Sequence, residues 1–267
     1  MKHAHGTLHG IMTSVAMAML AVVSPSCDGI FNSIYDEAPE EVKTTVAGQL
    51  YVDASDWGVW HYIDLKAVGD AVAADPSFDP SSLWQSAAIP LEPTDAAGTE
   101  NPYTGIYTYW YDVFGEGIGR NEFRDFYHTA AQPEPDDWTF AVHRNNVRTN
   151  GGAVARTEFR SLDELPADAR ELRTLEFVAD EWNEKDVWSI QERMLLGLIG
   201  NQGIEINNVL SSWLTIDIPP MPPAFTHDGR VFILRLADGS LAALRLVDYQ
   251  SATGTKCCLT IDYRYPL

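Results

Sequence analysis

His143 and Arg144 stand together in the run Trp138-Thr-Phe-Ala-Val-His-Arg-Asn-Asn-Val-Arg-Thr-Asn-Gly-Gly152, and an imidazole there could act as a base or a metal ligand. Its position on an apolar strand beside Val142 favours a structural role, hydrogen-bonding loop backbone near the Asn150-Gly151 turn. Asp136-Asp137 pairs two carboxylates as a glycosidase would, but 38 acidic residues make chance neighbours unavoidable. Gly115-Glu-Gly-Ile-Gly119 lacks the third spacing and the following helix of a dinucleotide loop, so it reads as a turn. Cys257 and Cys258 would point to opposite faces of an extended strand, and no Cys-x-x-Cys pair offers a zinc site; they read as inert core thiols. No Gly-x-Ser-x-Gly elbow, His-Glu-x-x-His helix or phosphate loop is present, and the chain reads as a binding protein and not an enzyme.

The elements that must position these residues are mostly strands. Phe140 and Val142 alternate with Thr139 and Ala141, and the Asn150-Gly151 that follows predicts a hairpin with a polar, Arg-bearing rim. Thr44–Val52 also alternates, while Val59–Leu65 and Gly105–Phe114 are rich in aromatic and β-branched residues. Val231–Leu236 and Leu241–Val247 flank Ala237-Asp-Gly-Ser240, the clearest hairpin in the chain, and Leu259–Tyr265 supplies a last strand. Helical signals are few: Leu162–Arg170 contains Pro166, which predicts a short turn, and Leu195–Ile199 is too short to assign. Pro-rich loops fall at Asp75–Pro80, Ala131–Asp137 and Ile218–Pro223. The pattern predicts an all-β, sandwich-like single domain over residues 42–267, with long loops and few short helices.

The 267 residues carry a formal charge of −20, which excludes nucleic acid as a partner because no basic patch could neutralise phosphates. Residues 1–26 read as a lipoprotein-type signal segment: Lys2 precedes an apolar stretch, Ile11–Val23, too short to span a bilayer as a mature helix. Ser24-Pro25-Ser26 then leads into Cys27, the candidate lipidation site; ordinary cleavage near Ser26 is the alternative, and either exports the protein. Removing residues 1–26 leaves 17 Lys and Arg against 38 Asp and Glu, a net −21. Residues 27–41 end in Asp36-Glu-Ala-Pro-Glu-Glu41 and read as an acidic flexible tether.

The order Trp-x-x-Ala-x-His-Arg-x-x-x-x-Thr-Asn-Gly from Trp138 to Gly151 resembles the HmuY family of bacterial haem-binding outer-membrane lipoproteins. Asp53-Ala-Ser-Asp-Trp57 with Trp60-His-Tyr-Ile-Asp-Leu65 looks like that family's first strand pair. Trp213-Leu214, Met221-Pro-Pro-Ala-Phe225, Val231-Phe232 and Ala237-Asp-Gly239 look like its haem-side loop and hairpin, and Thr260-Ile-Asp-Tyr-Arg-Tyr-Pro266 like its closing strand. The resemblance implies haem b (iron protoporphyrin IX) bound as cargo by two axial side chains from two loops. It also implies delivery to a TonB-dependent outer-membrane haem transporter for iron acquisition, and attachment to the membrane through a lipid anchor at Cys27.

Met194 and Met221 fall in the corresponding regions, and they are the only methionines outside the signal segment. A thioether is a soft, neutral iron ligand. Ile218 stands near the family's second ligand position, so Met221 would reach from the adjacent Pro-rich loop, or His227 would substitute. Arg193 and Arg230 are candidates to meet the haem propionates, and Trp188, Trp213 and Phe225 could wall the porphyrin, although core packing is the stronger expectation for each of the three. A second reading is a β-sandwich lipoprotein that binds glycan or a partner protein through exposed aromatics, with Trp110 and Tyr111 as candidates.

Overall fold

Strands with apolar residues on alternate positions need a partner surface for one face, and two sheets here supply it for each other. A computed structural model describes residues 48–94, 106–112, 122–190, 198–217 and 222–267. In chain order its strands are β1 (Gln49–Asp53), β2 (Val59–Ile63), β3 (Gln85–Ala88), β4 (Tyr107–Asp112), β5 (Glu122–His128), β6 (Phe140–His143), β7 (Asn146–Thr149), β8 (Ala153–Arg156) and β9 (Val178–Ala179). Then follow β10 (Glu181–Asn183), β11 (Trp188–Ile190), β12 (Leu198–Gln202), β13 (Ile204–Ile206), β14 (Leu214–Asp217), β15 (Ala224–His227), β16 (Phe232–Arg235), β17 (Leu241–Gln250) and β18 (Lys256–Arg264). The α-helices described are α1 (Leu65–Ala74), α2 (Ala169–Leu172) and α3 (Asn208–Ser211), with short 3-10 turns at Pro80–Leu83 and Leu162–Glu164. The all-β expectation holds, and Leu162–Arg170 forms no long helix, only a 3-10 turn before Pro166 and the start of the four-residue α2 after it. No described helix is long and apolar enough to cross a membrane.

A six-stranded sheet, β1-β18-β17-β16-β8-β9, faces a four-stranded sheet, β3-β2-β6-β7. Phe140 and Val142 of β6 join Phe232, Leu234, Leu244 and Ile261 of the larger sheet in the main core. Ala141, one residue out of phase, lies in a second core with Trp60, Tyr62, Val187 and Ile206. The far face of β16 is covered as well: Ile233 packs with Leu172, Leu241 and Ala243 under the 159–177 segment. A second four-stranded sheet is ordered β11-β12-β4-β5, and β10-β13 and β14-β15 form two-stranded pairs. All of these described pairings are antiparallel.

The Asp-Gly hairpin forms as expected: Gly239 takes φ +82° between β16 and β17, and Leu236 N–H bonds the Ser240 carbonyl. Asn150-Gly151, in contrast, does not close the hairpin of the 138–152 run. β6 has already turned back at Arg144-Asn145, with His143 opposite Asn146, and Asn150-Gly151 instead carries the chain from β7 into the other sheet. Arg144 adopts φ 54°, an uncommon choice for a non-glycine residue. Tertiary contacts hold it there, since its Nη1 donates to the Ser55 carbonyl and its guanidinium lies 4.0 Å from the Trp57 ring centre.

Other expectations change too. β1 and β2, expected to pair, belong to different sheets: β1 pairs β18, and β2 pairs β3 and β6. The Val59–Leu65 strand stops at Ile63 because Asp64 caps α1, accepting from the Lys66 N–H. Leu65 and Val68 of that helix are buried. Tyr111, expected at the surface, is buried with Tyr107 and Tyr109 against Phe126, and Trp110 is half-buried. Cys257 and Cys258 are both buried and neither is in a disulfide; Cys258 Sγ donates to Asp53 at 3.5 Å, and Cys257 takes φ 66° where β17 and β18 slip register.

His143 is fully buried, as a scaffold residue should be. Its Nε2–H donates to the Trp57 carbonyl at 2.8 Å, and its ring tilts against Trp60 at 5.2 Å. The loop it ties is thus the one between β1 and β2, not the Asn150-Gly151 turn. Burial pushes its pKa down from 6.5 to about 4, helped by Arg144 and His61 and opposed by the Trp57 bond and Asp56. A histidine held neutral in the fold contributes full stability above its unfolded pKa and loses it as pH falls toward the folded value. Unfolding free energy should therefore drop by roughly 3 kcal/mol between pH 6.5 and 4 on account of His143. Urea titrations across that window should show the drop in the wild type and a flatter profile in His143→Gln.

Candidate functional site

The outer edge of β7 is the root of both loops expected to meet haem. An edge strand presents unpaired backbone groups that must be paired or covered. Val147 N–H donates to Ser211 Oγ at 2.8 Å, and its carbonyl accepts from Asn207 N–H at 2.8 Å. Thr149 donates through its N–H and hydroxyl to the Asp180 carboxylate, at 2.6 and 2.9 Å. Asn207, completely buried, joins these contacts: its Nδ2 donates to the Val178 carbonyl and to Asp180, and its Oδ1 caps α3 at the Leu210 N–H. Burial raises the Asp180 pKa against the lowering effect of these bonds. Earlier on β7, Asn146 Nδ2 donates to the Asp186 carbonyl.

From the first anchor, α3 leads through Trp213 into the β14–β15 hairpin. Asp217 pairs Ala224, so residues 218–223 form its connection. Trp213 is fully buried in the main core, which makes it packing and not a porphyrin wall. Phe225 is half-buried and stacks on Tyr249 at 5.7 Å with 7° between planes. Lys256 Nζ lies 5.4 Å from the Phe225 ring and 5.0 Å from Tyr249, and donates to Gln250 Oε1. His227 is exposed, opposite Leu214 at the foot of the hairpin, its ring 5.8 Å from Tyr249. It is therefore a strand residue, three positions from the last paired residue at the tip.

From the second anchor, residues 186–188 lead into β11, which pairs β12 with a register shift. Trp188 stacks on Trp57 at 5.7 Å and its Nε1–H donates to the Lys185 carbonyl. Met194 and Arg193 lie in the 191–197 connection between these strands, and Met221 lies in the β14–β15 connection; all three fall outside the described residues. So do Ile218, Gly115–Gly119 and the N-terminal segments with Cys27. Arg230 is already engaged, pairing with Asp228 at 3.1 Å and Glu158 at 3.2 Å, and these partners raise its pKa. No three His, Cys, Asp or Glu side chains gather as a metal site among the described residues. Tyr249 and Lys256 were not singled out from the sequence, because only the β17–β18 register brings them beside Phe225.

The arrangement defines an antiparallel β protein whose two hairpins rise from one edge strand, with Trp188 at the start of one and Phe225 beside the tip of the other. The sequence profile of the HmuY protein family matches residues 56–263, and the chain belongs to that family. Among solved structures, a Bacteroides fragilis NCTC 9343 protein described as a lipoprotein is similar, with 28% identity, TM-score 0.54, and coverage of 82% of this chain and 89% of that one. A Bacteroides vulgatus ATCC 8482 protein described as HmuY-like and haem-binding matches at 28% identity and TM-score 0.53, over 82% and 91% of the two chains. Apo PinO from Porphyromonas shares the fold at 20% identity and TM-score 0.60, over 84% and 99%. Among curated protein sequences, none matches.

Asn207→Ala removes the α3 cap and two donated bonds, leaving the buried Leu210 N–H without its acceptor while Asp180 keeps its bonds from Thr149. We expect a loss of about 3 kcal/mol in unfolding free energy, read by urea denaturation. A loss under about 0.5 kcal/mol would mean that the β7 edge is held by other contacts.

Proposed function

We propose that the chain is a non-enzymatic haem-binding lipoprotein, anchored at Cys27 in the outer membrane, that captures haem b as cargo and delivers it to a TonB-dependent transporter. Membership of the HmuY family carries the reading, supported by a 28%-identical relative described as haem-binding. Met194 and Met221 are the proposed axial ligands. Each falls in sequence between two strands that pair antiparallel. Neutral thioethers add no charge to the ferric centre and favour the softer ferrous ion. Trp188 and Phe225 flank the two connections as apolar surface for the porphyrin edge. Arg193 is the better candidate to meet a propionate, because Arg230 is occupied by Asp228 and Glu158. His227 is the alternative second ligand; using it would seat the ring lower on the hairpin, toward Tyr249.

Soft ligands also suit release, since a transporter offering imidazole or another strong donor could displace them by ligand exchange. The test is an absorption titration of the full chain with haemin, before and after dithionite reduction. A shifted Soret band and sharp α/β bands on reduction are expected, with ferrous affinity about tenfold or more above ferric. Met194→Ala and Met221→Ala should each lose the low-spin ferrous spectrum while His227→Ala keeps it. An unchanged spectrum in both redox states defeats the reading, and loss of the spectrum in His227→Ala but not Met221→Ala replaces the second ligand.

A further inference from the structure

Large hydrophobic side chains exposed among the described residues are Ile106, Tyr127 and Trp182, and two of the three, Ile106 and Trp182, line one cavity of about 220 Å³. We propose that this cavity binds a neutral pyranose sugar stacked on Trp182, independently of haem.

Trp182 sits on β10 directly opposite Glu205 of β13, so the indole and the carboxylate stand side by side on one face. The indole is 39% exposed, yet it is not loose. Its benzo edge settles on Gly203, where a Cβ would come within 2.8 Å of Trp182 Cζ2 and 2.6 Å of Tyr109 Cε2. Glycine at 203 thus lets backbone form the seat of the ring. Around the cavity stand hydrogen-bonding groups of both senses. Gln202 donates to Gln132 Oε1 at 2.9 Å, and Arg148 donates to Glu134. Gln202 is fixed from behind by Trp60 Nε1–H at 2.8 Å, which holds the amide pair in one orientation.

The composition of this lining selects the ligand class. A cavity this size is below that of a drug-sized pocket, and far below what a porphyrin needs. Glu134 and Glu205 outnumber the single Arg148, which repels anions. An ammonium would use only the acceptors of the lining and leave its donors unused. Hydroxyl groups use donors and acceptors alike, and the C–H face of a pyranose matches an indole that is apolar in body and flanked by polar groups.

Cellobiose is the natural probe, because β-glucosyl rings carry equatorial substituents and present flat C–H faces; sorbitol has the hydroxyls without the ring face. With the full chain, saturation-transfer NMR should mark the ring protons of cellobiose, and titration should give a saturable change in tryptophan fluorescence. Trp182→Ala should weaken binding at least tenfold while leaving the haemin titration unchanged. Glu205→Ala, an exposed position, should also weaken it and guards against misfolding of the first variant. No saturable response to cellobiose, an equal response to sorbitol, a response to tetramethylammonium instead, or full binding by both variants would overturn the proposal.

Discussion

The pairing of the β7 edge with Asn207, Ser211 and Asp180 sets where both hairpins begin. An uncovered edge would leave backbone donors and acceptors exposed at the place where the small sheet meets its neighbours. Here the Val147 N–H and carbonyl and the Thr149 N–H are all satisfied by residues from later in the chain. Because Asn207 begins α3, the same bonds that cover the edge also aim the Trp213 segment and the β14–β15 hairpin beyond it. Asn146, at the start of β7, fixes residue 186 and with it the start of the β11–β12 pair. One four-residue strand thus sets the origin of both hairpins.

The 138–152 run is architecture, as the apolar setting of His143 in the sequence favours. His143 is buried and bonded to the Trp57 carbonyl. Arg144 turns the chain and lies over Trp57, whose other ring partner, Trp188, opens β11. The residues that look most reactive in the sequence are the ones that position everything else.

Alternation made much of this legible: Phe140 and Val142 enter the main core and Ala141 the second, as their spacing requires. The Asp-Gly turn before β17 was legible for the same local reason, since Gly239 needs only its own φ of +82°. The Arg144-Asn145 turn was not, because an arginine at φ 54° is stabilised by Ser55 and Trp57, far away in sequence. Helix α1 was hidden by its flanks: Val59–Ile63 reads as a strand that continues, and the Asp64 cap with Leu65 and Val68 is a weak signal beside it. Tyr111 misled in the opposite direction, an aromatic strand being equally suited to a surface or to the buried stack with Tyr107 and Tyr109 that it joins. For the candidate site, sequence supplied the methionines and their scarcity, whereas the shared root of the two hairpins required the pairing of β7.

In the proposed complex two thioethers, one from each hairpin connection, hold one haem. Methionine methyl NMR of the full chain, labelled at the ε-carbon and loaded with ferrous haem, tests it most directly. Axial methyl groups of a diamagnetic low-spin complex lie under the porphyrin ring current and shift far upfield. Paired thioether ligation predicts two such resonances, one lost in Met194→Ala and the other in Met221→Ala. A loaded complex in which neither methyl moves, or only one does, would contradict it.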